Sequence, residues 1–324
     1  MKSITTGTVK GNLMAEEKFI CPVLQEHYNL LPVSKMKFLN TPEASSLLRS
    51  LPVNVKNIFL ENFLKGIKGV DATKWGVVYD HFQKNSEIIP ALTANPGTYT
   101  MLERMYHLYP VTGAIDSYLL GCMAGGQALW NRYNLVTKLS YQLVLSVLKN
   151  QKNCLMADFG SGPGRNVIEM IKKIPDKNRV SIDCIDNDSF AIDYGKKLVN
   201  MEGISQINFV EKSMFSLRYR RSLDIGQLIG VMCGMSYNQA VSLLKILKHH
   251  FKTGGKLLAA VLLDEMPKED LLCSYTLRET ADWNLRFRPL GELKRIFEAA
   301  GWKYVSYFQE EPTRFYEIGI GEAI

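Results

Sequence analysis

The sequence predicts an α/β fold in which a helical domain precedes a seven-stranded, mostly parallel sheet. Three observations lead to this prediction. Strand-like and helix-like segments alternate from about residue 153 onward, whereas residues 1–150 contain helical patterns and no alternating strand pattern. The last two strand segments are joined by a link that is too short for a helix. Such alternation places parallel strands between two layers of helices. We therefore divide the chain into a helical domain, 1–150, and an α/β domain, 151–324.

The helical domain opens with a capped helix and continues with apolar residues at helical spacing. Thr41 is the expected cap, Pro42 is the first helical residue, and Pro52 ends this helix. Apolar residues that recur every three or four positions predict the remaining helices. The predicted helices are Glu43–Leu51, Val55–Ile67, Thr73–Phe82, Tyr99–Leu108, Ile115–Trp130 and Val136–Lys149.

The α/β domain contains seven short apolar runs that predict strands. These runs are Cys154–Phe159, Val180–Ile185, Ile207–Val210, Ile225–Cys233, Lys256–Leu263, Trp302–Gln309 and Phe315–Gly321. The helices predicted between them are Asn166–Ile174, Ser189–Met201, Gln239–Phe251 and Leu290–Ala300. Because the link Glu310–Arg314 cannot form a crossover, the last strand should run antiparallel to its neighbour.

Composition and charge restrict the class of protein. Hydrophobic residues make up 46% of the chain, which is ordinary for a globular protein. The net charge of +7 is spread, with 15 basic against 10 acidic residues in 1–150 and 24 against 22 in 151–324. A nucleic-acid-binding protein usually concentrates its basic residues in one run. We therefore expect a small, anionic partner and do not expect nucleic acid.

Cysteine usage and the length of the apolar runs predict a soluble, cytoplasmic protein. The six cysteines form no CxxC pair and no other metal spacing, which predicts reduced thiols and no metal site. Lys2 is not followed by an apolar core of signal-peptide length. The longest apolar stretches, such as Leu257–Leu263, are too short to span a bilayer, so no membrane partner is expected.

A glycine-rich segment from Ala157 to Arg165 carries the clearest chemical signal. It reads Ala-Asp-Phe-Gly-Ser-Gly-Pro-Gly-Arg, follows an apolar strand and opens a helix. Glycines let the backbone turn sharply and approach a ligand, and a helix N-terminus adds unpaired N–H groups. In an open α/β sheet, ligands bind at this point, the carboxyl end of the first strand.

Two classes of ligand compete for such a loop. A dinucleotide site requires GxGxxG, but counting from Gly160 places Arg165 at the third glycine, and counting from Gly162 fails as well. The observed order is Asp158-x-Gly160-x-Gly162-x-Gly164, with an acid in the lead. A carboxylate at that position suits a cationic ligand and repels a pyrophosphate.

This pattern resembles the first motif of the class I S-adenosylmethionine-dependent methyltransferases, whose domain is Rossmann-like. Asp186, 22 residues after Gly164, ends the second strand beside Asn187, and the resemblance implies that an acid there holds the ribose hydroxyls. The third strand leads to Ser213 and Met214, which the resemblance places beside the adenine. The acid that the family often carries at Ser213 is missing.

The resemblance covers about residues 150–324 and includes two further features. The Gly254-Gly255 turn before the fifth strand and the reversed final hairpin both match the family. It implies S-adenosylmethionine as cofactor, with Asp158 and the three glycines at its methionine end. Arg132 and Tyr133, upstream of the sheet, are candidates for holding its carboxylate; the alternative is a solvated helix end.

The acceptor of the methyl group is less well determined. The segment Met232–Asn238, which follows the fourth strand, lacks the Asn/Asp-Pro-Pro-Tyr sequence of the family's amino-methylating DNA and glutamine enzymes. No Pro-Cys pair marks a cytosine C5 nucleophile. We therefore expect a small molecule that is methylated at oxygen, with nitrogen and carbon as the alternative acceptor atoms. The alternatives are an RNA or protein methyltransferase, a non-catalytic S-adenosylmethionine-binding protein and a nicotinamide reductase.

Several side chains are candidates for contacting this acceptor, and we expect the helical domain to cover it. His107 is a candidate base, although a packed structural role is the alternative. Tyr237 lies in the segment after the fourth strand. In the family the segment after the fifth strand often lines the acceptor pocket. Its candidate substrate residues, for which surface ion pairs are the alternative, are Arg278, Trp283, Arg286 and Arg288.

Overall fold

The computed structural model describes residues 42–65, 72–94, 97–106, 113–121, 123–217, 222–269 and 285–324. In chain order the strands are β1 (Cys154–Phe159), β2 (Val180–Asp186), β3 (Ile207–Glu211), β4 (Leu223–Leu228), β5 (Phe251–Leu262), β6 (Trp302–Gln309) and β7 (Tyr316–Ala323).

The seven strands form one sheet in the order β3-β2-β1-β4-β5-β7-β6. Strands β1 to β5 pair in parallel, whereas β7 runs antiparallel to both β5 and β6. The predicted fold class, with seven strands and an antiparallel last strand, is therefore confirmed. Because the chain moves outward from β1 in one direction and from β4 in the other, a crevice opens between the carboxyl ends of these two strands.

The helices before the sheet differ in part from the prediction. They are α1 (Pro42–Ser50), α2 (Val53–Lys65), α3 (Ala72–Asn85), α4 (Ile88–Ala94), α5 (Tyr99–Met105), α6 (Ala114–Gly121) and α7 (Ala124–Asn150). Helix α4 was not predicted. The predicted break near residues 131–135 is wrong, because α7 is continuous there with Arg132 and Tyr133 buried. The boundary between the two helices lies earlier, since α6 ends at Gly121 and α7 begins at Ala124.

Among the described residues, five α-helices follow β1. They are α8 (Arg165–Ile171), α9 (Ser189–Met201), α10 (Tyr237–Lys248), α11 (Met266–Glu269) and α12 (Glu292–Ala299). Asp188 caps α9 by accepting hydrogen bonds from the backbone N–H groups of Phe190 and Ala191. Ser236 and Gln239 form a reciprocal capping box on α10. These caps fix where each helix leaves the edge of the sheet.

Two predicted strand boundaries are wrong. Strand β4 ends at Leu228, and the half-buried Ile229 and Val231 lead into a 3₁₀ turn, Met232–Gly234, in which Met232 and Cys233 are buried. Strand β5 begins at Phe251, so the Gly254-Gly255 turn lies inside it as a bulge. A run of apolar residues can continue past the end of a strand, so it does not locate that end.

The two faces of β5 are covered by different parts of the chain. Leu258 and Leu262 face the helices that precede the sheet, whereas Leu257 and Val261 face α10 and α12. This follows from the two-residue alternation of a strand. Helix α7 joins the layers, since its first half packs with α1–α6 and its second half packs with α8 and β1.

Two features of the described ranges concern membrane crossing and free thiols. None of the helices in these ranges combines the length and the apolar character that a bilayer crossing requires. Cys154, Cys184 and Cys233 are buried free thiols.

Candidate functional site

A cavity of about 330 Å³, which we call the cleft, lies at the crevice between β1 and β4. The carboxyl ends of β1, β2 and β4 contribute to its wall, and residues of helix α5 line it as well. Residues that line it include Asp158, Asp186, Gln227, Val231, Tyr99 and Glu103. The loop after β1 contributes Gly160, Ser161, Gly162 and Pro163. The glycine loop, Asp158 and Asp186 are therefore brought together as predicted from the order of the strands.

The glycine loop needs glycine for two reasons. Gly160, Gly162 and Gly164 have φ angles of +67°, +53° and +71°, which L-residues with a side chain rarely adopt. A Cβ atom at Gly160 would lie only 2.4 Å from Cγ2 of Val231. Gly164 does not line the cleft; a Cβ there would lie 2.9 Å from Sγ of Cys184. The first glycine keeps the loop close to the end of β4, and the third lets α8 pack on the sheet.

Two carboxylates flank the glycine loop at the strand ends. Asp186 accepts hydrogen bonds from the backbone N–H of Gly162 at 2.7 Å and from that of Asp188 at 3.0 Å. Asp158 is 5% exposed. Burial, followed by the negative charge of Asp186, raises the pKa of Asp158 to about 7. The cleft therefore presents two neighbouring acids. A positively charged ligand would stabilise the ionised form of Asp158.

Gln227 is a cleft residue that the sequence analysis missed. Its side chain is fully buried in β4, and neither its amide nitrogen nor its amide oxygen has a hydrogen-bond partner among the described residues. An unpartnered buried amide costs roughly 1–3 kcal/mol unless a ligand or water satisfies it. The signal was present in the sequence, because a glutamine inside an otherwise buried strand is unusual.

Helix α5 is tied to the start of α8 by a pair of opposite charges. Glu103 is buried, and its carboxylate accepts from Arg165 through both oxygens, with the Nε–Oε1 distance at 3.0 Å. The Tyr194 hydroxyl also donates to Glu103 at 3.3 Å, and its ring stacks on Tyr99 with centroids 5.3 Å apart. The sequence analysis missed Tyr99 and Glu103, because only the tertiary fold brings α5 to the glycine loop.

A second cavity, which we call the chamber, adjoins the cleft and has a volume of about 110 Å³. Its wall is mainly aliphatic and comes from the helices before the sheet and from the ends of β5 and β7. Residues that line it include Ile89, Met101, Leu119, Leu129, Leu262 and Tyr316. Leu102, Arg132 and Gly230 line both cavities. The chamber was not predicted, because its walls come from segments far apart in the sequence.

Arg132 lies at the junction of the two cavities. It is 4% exposed, and its guanidinium carbon is 4.6 Å from the ring centroid of Tyr316. Its Nη2 lies 3.4 Å from the hydroxyl of Tyr106, and its Nε has no hydrogen-bond partner among the described residues. The predicted location of Arg132 beside the cleft agrees with this geometry.

Tyr133 does not share the location of Arg132. Arg132 lines the cleft and the chamber, whereas Tyr133, about 100° further round the helix, lines neither. Tyr133 instead stacks between Tyr106 and Trp130, with centroid distances of 4.5 and 5.7 Å, and lines a separate outer groove. Its predicted place at the cofactor carboxylate is therefore not what the geometry favours.

The residues expected near the adenine and ribose lie around the rim. Asn187 is exposed next to Asp186. Ser213 caps a 3₁₀ turn, since its hydroxyl accepts from the N–H of Phe215 at 3.3 Å. The Cε atom of Met214 would lie 3.2 Å from a Cβ at Gly160. Neither Ser213 nor Met214 lines the cleft itself.

Tyr237, Arg286 and Arg288 line neither the cleft nor the chamber. Because β4 ends at Leu228, Tyr237 lies beyond the cleft, at the start of α10. Its hydroxyl donates to the carbonyl of Arg295 at 3.3 Å. Arg286 is exposed. Arg288 is buried, pairs with Glu292 and donates to the carbonyl oxygens of Met232 and Met235 at 3.3 and 2.5 Å, so it has a structural role. His107, Arg278 and Trp283 lie outside the described residues.

Solved structures match this arrangement of strands and helices. A possible exported protein from Bordetella parapertussis superposes with a TM-score of 0.64 at 16% identity, over 86% of this chain and 95% of that chain. Magnesium protoporphyrin IX methyltransferase (ChlM) from Synechocystis PCC 6803 with bound SAH gives 0.54 at 11% identity, over 74% and 100%. The same enzyme with bound SAM gives 0.50 at 13% identity, over 73% and 96%.

The strand order and these superpositions define the class: the chain has the fold of the class I S-adenosylmethionine-dependent methyltransferases, as its glycine loop predicted. No family model matches the sequence, and no curated protein matches it. The likeness is one of fold, and the chemistry must be argued from the residues of the cleft.

Proposed function

We propose that this protein is an S-adenosylmethionine-dependent methyltransferase that acts on an oxygen atom of a small molecule. The observation that carries the proposal is the pair of acids, Asp158 and Asp186, on either side of a side-chain-free loop at the crevice between β1 and β4. A cleft with two acids attracts a cationic nucleoside and disfavours the pyrophosphate of a dinucleotide. This argues against the nicotinamide reductase alternative.

The residues of the cleft fit the cofactor. Gly162 lines the cleft, and a Cβ there would have only the Cβ atom of Tyr99 within 4 Å, so a ligand can approach this part of the backbone. The unpartnered amide of Gln227 offers one donor and one acceptor. Asp158 would hold the ammonium group, and Asp186 retains lone pairs for the two ribose hydroxyls. Ser213 and Met214 stay proposed neighbours of the adenine. The bound cofactor supplies a methyl group on a sulfonium that is ready for displacement.

The protein's part in such a reaction is mainly to position the acceptor and exclude water. Helix α5 contributes Tyr99 and Glu103 to the wall of the cleft, and the Glu103–Arg165 pair holds this helix against the loop. We extend the proposal to the domain division, with the helical segment up to residue 150 as the cover of the substrate side. Packing of α1–α6 on one face of β5 and β7 supports it.

A small acceptor is supported by the size of the chamber, and oxygen by its chemistry. The chamber is small and lined mainly by aliphatic side chains, which suits a small molecule better than an RNA or a protein segment. Histidine is absent from the described residues that line the cleft and the chamber. An oxygen that is already ionised needs no base to accept the methyl group. The buried free thiols support the further proposal of a cytoplasmic setting.

Calorimetric titration of the full chain with S-adenosylmethionine, S-adenosylhomocysteine and NADH tests the cofactor assignment. We expect the first two to bind and NADH not to bind. Transfer of a labelled methyl group to metabolite, RNA and protein fractions then tests the acceptor class, and label in the metabolite fraction is the expected result. Binding without transfer to any fraction would favour the non-catalytic alternative.

A further inference from the structure

We propose that the chamber holds the apolar body of the methyl acceptor and that Arg132 binds the acceptor's ionised oxygen at the junction of the chamber and the cleft. This inference rests on the proposed function and adds the chemical class of the acceptor. The acceptor would be a compact apolar molecule with one oxyanion, either a carboxylate or a phenolate.

The walls of the chamber define the body of the ligand. Among the described residues that line it, Arg132 carries the only charge, and the others are isoleucines, leucines, methionines, glycines, Cys233 and Tyr316. Its volume of about 110 Å³ is somewhat below the roughly 150 Å³ of an engineered cavity that binds benzene. The volume therefore limits the body of the ligand to at most a single ring or a short branched chain, with its charged group at Arg132.

The state of Arg132 defines the head group. A guanidinium stays charged at every accessible pH, and burying it without an anionic partner is unfavourable. Among the described residues no carboxylate pairs with Arg132; its recorded contacts are the Tyr316 ring and the Tyr106 hydroxyl. Its Nε is buried and unpartnered. The face of the guanidinium is occupied by an aromatic ring, so its edge remains for a planar oxyanion.

The location of Arg132 favours the acceptor over the cofactor as the source of that anion. Its ring partner Tyr316 opens β7 and pairs with Leu262 at the end of β5. The two acids assigned to the cofactor lie at the ends of β1 and β2, on the other side of the crevice. Because Arg132 and Gly230 line both cavities, an oxygen held at Arg132 would face the cleft from the chamber.

The chemistry balances without a further reactant. A lone pair of the acceptor oxygen forms the new carbon–oxygen bond while the carbon–sulfur bond of the sulfonium breaks, and its electron pair stays on sulfur. A cation and an anion become two neutral products, a thioether and a methyl ester or methyl ether. A carboxylate or phenolate has lost its proton before the transfer, and the positive charge of Arg132 favours the ionised form.

Binding of four probes tests the proposal, in the presence of saturating S-adenosylhomocysteine at pH 8.5. Cyclohexanecarboxylate is compared with cyclohexanecarboxamide, and 2,6-difluorophenolate with 2,6-difluoroanisole. We expect at least one anion to bind ten-fold or more tightly than its neutral counterpart, and the pair that responds separates carboxylate from phenolate acceptors. Equal binding of both members of each pair, or no binding, would overturn the proposal. Failure of S-adenosylhomocysteine itself to bind would instead refute the proposed function.

Two variants of Arg132 test whether this residue binds the anion. Arg132→Gln should remove the preference for the anion and leave the affinity for S-adenosylhomocysteine within three-fold; Arg132→Met, which also removes the charge, serves if the glutamine variant does not fold. A ten-fold loss of S-adenosylhomocysteine affinity in either variant would assign Arg132 to the cofactor carboxylate and overturn the inference.

Filling the chamber tests where the apolar body lies. Leu129→Trp should abolish probe binding, and Leu92→Phe provides a smaller obstruction if the tryptophan variant is unstable. Leu145→Trp, on the same helix α7 but outside both cavities, is the matched control and should bind the probes normally. Probe binding that survives obstruction of the chamber would place the ligand elsewhere and contradict the proposal.

Discussion

Asp186 accepts a hydrogen bond of 2.7 Å from the backbone N–H of Gly162, and this bond ties the end of β2 to the loop after β1. The same carboxylate accepts from the N–H of Asp188, which caps α9. One side chain therefore fixes the glycine loop and the start of the next helix. A residue that the sequence suggested only as a ribose ligand also shapes the site in which the ribose would lie.

Replacing Asp186 by Ala should weaken S-adenosylhomocysteine binding by about 1.5–3 kcal/mol, or roughly ten- to a hundred-fold, because charged hydrogen bonds are lost. Asp186→Asn keeps one acceptor oxygen for Gly162 and should lose less. Calorimetric titration measures both. Asp193→Ala removes an equal charge from the exposed face of α9 and should change nothing. Unchanged affinity in the alanine variant would remove Asp186 from the site.

Gly160→Ala should lower stability and cofactor affinity together. The left-handed backbone costs an L-residue about 1–2 kcal/mol, and the contact with Val231 adds overpacking of roughly 1–3 kcal/mol. Gly203→Ala is the matched control, because Gly203 has a similar φ of +62° and no atom within 4 Å of its Cβ position. Denaturant unfolding and titration should therefore separate strain alone from strain with crowding. Equal losses in both variants would contradict the close approach at Val231.

The sequence was sufficient to predict the sheet because each of its signals is local. The acid-led glycine loop, the strand-tip acid Asp186 and the short link before β7 are each defined by neighbouring residues, and a parallel sheet brings its strand ends together. The chamber and the Glu103–Arg165 pair depend on how the early helices pack on β5 and β7. Single-sequence periodicity carries no information on that packing.

The errors in the sequence-based site have a common cause. Tyr133, Tyr237 and Arg288 were assigned from their nearness in sequence to functional segments. The location of Tyr133 depends on its side-chain direction on helix α7, and that of Tyr237 depends on the early end of β4. Arg288 is held by a carbonyl of the turn at Met232–Gly234. Gln227 was missed for the opposite reason, since it lies inside a strand that was interpreted as core.

Glu103→Gln should destabilise the protein by about 3 kcal/mol, because it leaves the partly buried Arg165 without its charged partner. Cofactor affinity should fall as well, since α5 loses its bond to the start of α8. A double-mutant cycle with Arg165→Met measures the coupling. The exposed pair Asp193–Lys196 provides the comparison and should couple by less than about 0.5 kcal/mol. A similarly small coupling for Glu103 and Arg165 would mean that the pair does not hold the helix.

Asp158 should make both stability and cofactor binding depend on pH. Its pKa of about 7 lies above the ordinary 3.8, so the folded state holds a proton that the unfolded state has lost between these two values. Stability should therefore fall as pH rises from 4 to 7. Asp158→Asn should remove this loss and raise the melting temperature at pH 8, with little effect at pH 4. Glu310, whose pKa burial also raises to about 7, contributes equally to both proteins and cancels in the difference.

Cofactor binding should show the opposite trend at Asp158, since an ammonium group binds the ionised carboxylate. The affinity of the natural protein for S-adenosylhomocysteine should decrease as pH falls from 8 to 6, because below pH 7 the carboxyl must first release its proton. The Asp158→Asn variant should bind more weakly at pH 8 and show a flatter profile over the same range. Titrations of both proteins at pH 6, 7 and 8 measure the two slopes. Parallel slopes would mean that another group governs the pH dependence and that Asp158 does not contact the ammonium group.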